Sequence, residues 1–407
     1  MNCRHCDHQL ELVFLDLGFA PPSNAYLTEA ELHLPEMYFP LKLFVCDRCW
    51  LVQTEDYARA EELFKSDYAY FSSVSQGWLE HAASYVDKMC INFGLDKQSH
   101  VIEIASNDGY LLKNFVAAGI PCLGIEPTTS TAVAAEALGI PVLREFFGSD
   151  SADRLLHEGK QADLIIGNNV YAHVPDINDF TAGLKIILKP QGIVTLEFPH
   201  VLCLVLENQF DTVYHEHYSY LSLQTVKGIF EQAGLRVWDV ERLSTHGGSL
   251  RVYGCHMADQ RPTSAAVEQL LLEEDRNGLR NRSTYQAFQA RADRMKDDLV
   301  HYLIEQKRAG KKIAAYGAAA KGNTFLNYAG VKPDLLSFVC DAAPSKQGKY
   351  MPGSHIPILP PSALKELRPD YVLILPWNIS EEVIKQNEHV RHWGGKFVMA
   401  VPTLEVL

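Results

Sequence analysis

Six side chains able to take part in chemistry crowd into seven residues of the segment DTVYHEHYSYLSLQTV: Tyr214, His215, Glu216, His217, Tyr218 and Tyr220. Three readings fit such a cluster. An imidazole titrates near neutrality, so a histidine here could move a proton while the adjacent carboxylate orients and tunes it. In an extended segment His215 and His217 share one face and could ligate a metal, although Glu216, the nearest third ligand, points the opposite way. The residues could also be no more than packing and surface groups.

A second group suits metal chemistry more directly. Cys3 and Cys6 form one C-x2-C pair and Cys46 and Cys49 another. Such knuckles present paired thiolates to a tetrahedral Zn2+, and four thiolates leave no open position for water, so the metal is expected to fold a small domain and do no catalysis. The stretches LELVFLDLG and YFPLKLFVC between the pairs read as strands that bring them together. A redox dithiol is the rival reading, but a thioredoxin-type site needs one such pair and no second. His5 and His8 are superfluous as ligands and read as exposed neighbours. The other five of the nine cysteines, Cys90, Cys122, Cys203, Cys255 and Cys340, read as small core residues.

These residues need elements to hold them. Apolar residues recur at helical spacing from Trp78 to Met89. From Val101 short apolar runs (VIEIAS, PCLGIEP, IPVL, ADLIIGNN, GIVTLEF) alternate with helical stretches, the pattern of a parallel sheet covered by helices on both faces. Leu235 to His256 reads as a pair of strands closing that sheet. A polar helical stretch from about Ser264 to Arg308 follows as a connector. The alternation then restarts with KIAAYGAAAKGN, LLSFVCDAA, YVLILPWN and KFVMAVP, so a second α/β unit ends the chain.

The strand ends carry the next candidates. VIEIASNDGY resembles a dinucleotide turn with too few glycines: Ala105 and Ser106 stand in glycine-like places, and Glu103, Asn107, Asp108 and Gly109 line a loop whose acid suits a cationic or zwitterionic ligand better than a diphosphate. Glu126, followed by Pro127, closes the next strand where a carboxylate can accept from a ribose diol. Asn168, Asn169 and His173 follow the strand ADLII. Together these three strand ends resemble the class I S-adenosylmethionine-dependent methyltransferases. That resemblance implies that Glu103, Ala105, Asn107, Asp108, Gly109, Glu126, Pro127, Asn168 and Asn169 hold S-adenosylmethionine. In the last unit YGAAAKGN opens a helix, where backbone N–H groups and Lys321 could receive an anion such as a diphosphate.

Over its whole length the chain resembles the sugar C-methyltransferases that add a methyl branch at C3 of nucleotide-linked 4-keto-deoxysugars. The motifs are the four cysteines, D-Y-x-Y at Asp67 to Tyr70, Y-H-E-H at Tyr214 to His217, H-G-G-S-L-R at His246 to Arg251 and Y-G-A-x-x-K-G-N at Tyr316 to Asn323. The resemblance implies that His217 is the base, with Glu216, Tyr214, His173 and Tyr68 (or its neighbour Tyr70) around it. It also implies that Tyr316, Gly317, Ala318, Lys321 and Asn323, with Asp341, Ser345, Lys346, Trp377 and Asn378 as further candidates, contact a nucleotide sugar. The chemistry is coherent, because a ketone acidifies the neighbouring C–H and makes carbon a nucleophile. An O- or N-methyltransferase and a non-catalytic zinc-ribbon binding protein are the alternatives.

Composition sets the outer limits. A length of 407 residues predicts two to three domains, and the motifs divide them as a zinc-binding domain at 1–72, a methyltransferase domain at 73–262 and a nucleotide-sugar-binding α/β domain at 263–407. The expected fold class is therefore α/β, with a small zinc domain followed by two Rossmann-like domains. A formal charge of -13 disfavours nucleic acid as a partner, since that affinity is largely phosphate neutralisation. No apolar run is long enough for a membrane span and no signal peptide is legible at the start, so a cytoplasmic location is expected. Three domains closing around one cleft need no partner, so a monomer is expected.

Overall fold

The computed structural model describes residues 1–57 and 71–407, so the candidate tyrosines Tyr68 and Tyr70 lie outside the described residues. Among the described residues the strands form three sheets. The first is antiparallel, in the order β1 (Leu12–Ala20), β2 (Phe39–Val45), β3 (Val52–Thr54) and β9 (Ser219–Tyr220). Its last strand comes from far along the chain, directly after the Y-H-E-H segment.

The second sheet has seven strands: β4 (Val101–Ile104), β5 (Cys122–Ile125), β6 (Val142–Leu143), β7 (Ala162–Asn168), β8 (Leu188–Pro199), β10 (Leu235–Leu243) and β11 (Ser249–His256), in the spatial order β10-β11-β8-β7-β4-β5-β6. The strands from β6 to β8 run parallel, and β11 pairs antiparallel with both β8 and β10. β4 and β5 are buried throughout, as parallel strands covered on both faces must be. Because the order reverses beside β4, a crevice opens at the carboxyl ends of β4 and β7, where ligands bind such sheets.

Ser75 starts the helix Gln76–Phe93 by accepting from the Trp78 N–H at 3.3 Å, and Gly94 ends it in the left-handed conformation. This helix carries His81 to Glu197, a fully buried residue of β8. Burial alone would raise the Glu197 carboxyl, but His81 Nε2 at 2.9 Å and Arg251 Nη2 at 2.7 Å outweigh it and hold the group below its ordinary value. The arginine of H-G-G-S-L-R thus ties β11 to β8 beneath the crevice.

The third sheet comprises β12 (Ile313–Tyr316), β13 (Val339–Cys340), β14 (Ile358–Leu359), β15 (Tyr371–Ile374), β16 (Lys396–Met399) and β17 (Glu405–Val406), in the order β14-β13-β12-β15-β16-β17. It is parallel except for β17. Its own reversal lies at β12, so the glycine loop beginning at Gly317 sits at the ligand-binding edge. The connector is a set of helices ending in Gln289–Arg308. The α/β class and the succession of zinc, methyltransferase and Rossmann-like units are as expected. No described helix is long and apolar enough to cross a membrane.

The four sulfurs of Cys3, Cys6, Cys46 and Cys49 lie within 4.8 Å of one another, with Cys3–Cys49 and Cys6–Cys46 separations of 3.5 Å. A zinc tetrahedron with Zn–S bonds of about 2.3 Å has S–S edges of about 3.8 Å, so the donor set fits the metal. His5 departs from expectation: it is buried against the second sheet's surroundings, its Nδ1 2.8 Å from Asn178 Oδ1. His8 is exposed and pairs with Asp47. Of the five single cysteines Cys122, Cys255 and Cys340 are buried, while Cys90 and Cys203 are partly so. Because β3 of this unit pairs with β9, metal loss should reach the centre of the molecule. Cys46→Ser should abolish the one zinc per chain seen by elemental analysis and lower the first melting transition; an unchanged transition in metal-free protein would show that the metal does not hold this unit.

Candidate active site

The side chains of Y-H-E-H diverge, and that divergence settles the metal reading of the segment. His215 is buried with Nε2 3.2 Å from the Pro40 carbonyl, and Glu216 Oε1 accepts from Asn24 Nδ2 at 2.7 Å. His217 is held from both sides. Its Nδ1 is 3.1 Å from the Thr212 carbonyl and its Nε2 is 2.7 Å from Tyr214 Oη. A carbonyl can only accept, so Nδ1 carries the hydrogen and Nε2 offers its lone pair to the Tyr214 hydroxyl. Thr212, not Glu216, therefore orients this imidazole. Among the described residues the four cysteines are the one His/Cys/Asp/Glu group that could hold a metal.

The backbone of the segment is fixed from the zinc unit. Thr54 N–H donates to the Tyr218 carbonyl at 3.1 Å and Thr54 Oγ1 to the His217 carbonyl at 3.2 Å, extending the β3–β9 pairing. Beside His217 stands His173, ring centroids 4.6 Å apart, after the turn at the end of β7. Burial first, and then the neighbouring imidazole of His173, which disfavours a second proton beside it, holds His217 well below the ordinary histidine value. Burial likewise lowers His173 and His246 to about 4. The imidazoles are neutral at physiological pH.

The acidic crevice lies next to them. Glu103 is pushed well above the carboxylate range by burial and by Asp108 and Glu126, with Tyr110 acting against. Three carboxyls crowd where a cation would relieve them. Ala105 and Asn107 adopt positive φ of 56° and 51°, so the loop makes a glycine-type turn, though at Asn107 and not at Ser106. Gly109 serves packing, since a Cβ there would come within 2.4 Å of Ile140. Glu126 accepts from the N–H groups of Asn107 at 2.9 Å and Thr128 at 2.8 Å, with the partly buried Pro127 between Glu126 and Thr128. Asp108 Oδ1, both polar atoms of Asn168, and Asn169 Oδ1 are buried and have no hydrogen-bond partner among the described residues. Unsatisfied donors and acceptors beside an acidic loop fit a ligand bearing hydroxyls and a positive charge. Asn169 is itself in the left-handed region and holds His246 Nε2 at 3.0 Å.

The glycine loop of the third sheet faces the same cleft. Lys321 Nζ donates to Asn378 Oδ1 at 2.7 Å and lies 4.4 Å above the Trp377 ring. Its charge is felt at both His217 and His246. Tyr316 and Gly317 are buried, and Asn323 donates to the Ser23 carbonyl at 2.7 Å. The Ala318 N–H already serves Asp341 Oδ2 at 2.6 Å, and the Ala318 carbonyl accepts from Lys346 and Tyr26, so an anion must use the first turn of the helix Ala320–Tyr328. Ser345 is exposed. Asn24, Tyr26, Asp211 and Thr212 were not singled out in the sequence. Asn24 and Tyr26 belong to none of the motifs, and Thr212 acts through its carbonyl, which has no sequence signature.

Three family models match in succession: a zinc binding domain over residues 3–64, a methyltransferase domain over 78–240 and a C-methyltransferase C-terminal domain over 244–402. C-methyltransferase NovU of Streptomyces niveus is 33% identical over 406 residues, covering 100% of this chain and 96% of that protein. Ubiquinone biosynthesis O-methyltransferase of Rhizobium etli (strain CIAT 652) is 26% identical over 119 residues, 26% of this chain and 47% of that protein. Magnesium protoporphyrin IX methyltransferase from Synechocystis PCC 6803, solved with bound SAM, has a TM-score of 0.34 at 14% identity and covers 44% of this chain and 80% of that one. With an end-to-end relative of that identity and three matching domains in order, the chain belongs to the S-adenosylmethionine-dependent C-methyltransferase family.

Proposed function

We propose that this methyltransferase acts on C3 of a nucleotide-linked 4-keto-deoxysugar, with His217 as the general base. The observation that carries this reading is the pair of bonds on His217: Nδ1–H fixed to a carbonyl leaves Nε2 as the proton acceptor. The proton is taken from the carbon beside the ketone, and the electron pair moves onto the ketone oxygen as an enolate. A C–H approaching Nε2 displaces the Tyr214 hydroxyl, which turns its hydrogen to the developing enolate oxygen. His173 stands close enough to share that role.

Bound S-adenosylmethionine supplies a methyl already activated on a sulfonium, so no metal is needed at this step. Glu103, Ala105, Asn107, Asp108, Gly109, Glu126, Pro127, Asn168 and Asn169 would hold it: Glu126 toward the ribose hydroxyls, Asp108 and Glu103 toward positive charge. The nucleotide sugar would lie against the helix Ala320–Tyr328 with Lys321 countering its phosphates. Glu216, bound to Asn24, would keep the zinc unit's turn against the sugar's side of the cleft.

His217→Asn should lower kcat by about a thousandfold with the Kd for S-adenosylmethionine unchanged; full activity would overturn the assignment. In the wild type, burial keeps His217 neutral, so kcat should hold as pH falls through 6.5 and decline only below it.

A further inference from the structure

The turn that presents the Thr212 carbonyl is gripped by the third sheet's unit. Phe210, fully buried, packs against Phe325 at 4.9 Å and Tyr328 at 5.7 Å between ring centroids. Thr324 Oγ1 donates to the Val213 carbonyl at 2.7 Å. Between these contacts Asp211, 1% exposed, accepts from Trp377 Nε1 at 2.8 Å. The indole is wedged in place: a Cβ on Gly247 would come within 2.3 Å of its ring, and Lys321 lies over its face. A buried carboxylate needs such partners, because burial alone drives it toward the neutral form, and Trp377 and Lys321 both act against that drive.

Thr212 follows Asp211 directly, so whatever fixes Asp211 fixes the carbonyl that sets the His217 tautomer. We propose that Trp377 and Asp211 are positioning residues for the reaction, through which the C-terminal unit holds the Thr212 carbonyl against Nδ1 of His217. Neither needs to touch the reacting atoms. The indole belongs to the same cluster as Lys321 and Asn378, so occupation of that cluster by a sugar nucleotide bears directly on the base. This inference rests on His217 being the base, but its structural half can be read independently.

The test is the nitrogen-15 spectrum of the His217 imidazole in the full-length zinc-loaded enzyme. In the wild type His217 should show a protonated Nδ1 and an unprotonated Nε2; the opposite tautomer would overturn the proposal without any variant. Trp377→Phe keeps a ring against Gly247 but removes the N–H donor. It should shift the His217 resonances toward a tautomer mixture and lower kcat by about tenfold, with KM for S-adenosylmethionine unchanged. Asp211→Asn keeps an acceptor for the indole and should leave the His217 resonances near those of the wild type. Wild-type resonances in Trp377→Phe would overturn the proposal, as would Asp211→Asn resonances displaced as far as those of Trp377→Phe. Should His217→Asn prove active, the base assignment fails while the tautomer shifts still report on positioning.

Discussion

The pairing of β3 with β9 is the constraint on which the rest of the molecule depends. Two residues, Ser219 and Tyr220, join the zinc unit's sheet at Gln53 and Val52, and Thr54 carries the contact back to the His217 carbonyl. The segment just before them belongs to the methyltransferase unit and is clamped from the other side by Phe325, Thr324 and Trp377. Phe210, Val213 and Tyr220 of this stretch therefore sit in one continuous core that joins the zinc unit's sheet, through Leu43 and Val52, to the C-terminal unit, through Phe325 and Leu326. The zinc has no catalytic position of its own, yet its sheet fixes the backbone of the residue proposed to be the base.

Electrostatics divide the cleft into two halves. On the β4 and β5 side, Glu103, Asp108 and Glu126 are packed closely enough that burial and mutual repulsion raise Glu103 far from its ordinary state. A cationic ligand is the natural counterweight. On the other side stand His217, His173 and His246, all kept neutral by burial. Neutral imidazoles next to a site for positive charge can accept a proton without adding to its repulsion. Lys321 reaches this half from the third sheet and supplies the local positive charge that the overall balance of -13 does not.

Much of this was legible in the residues. The four cysteines declare themselves by spacing, and the alternation from Val101 onward declares the wound sheets, because both follow from local geometry. The histidine and acidic-loop residues stand out by type. What the sequence could not disclose is closure in three dimensions. Asn24 and Tyr26 lie in a turn some 190 residues before Glu216 and yet pack beside it and the Ala318 loop. Glu216, adjacent to His217 in sequence, turns away from it, and a backbone carbonyl takes the orienting role. Ser106, apparently glycine-like, leaves the positive φ to Ala105 and Asn107. Each of these depends on how units meet, which no periodicity records.

Carbon acidity is the most direct point of attack. A 4-keto-deoxysugar nucleotide incubated with the enzyme in D2O, with S-adenosylhomocysteine in place of the methyl donor, reports deprotonation apart from transfer. Deuterium should enter C3 with the wild-type enzyme and should not with His217→Asn. Methyl transfer to the same sugar without any deuterium at C3 would contradict a carbanion route and point to a heteroatom acceptor.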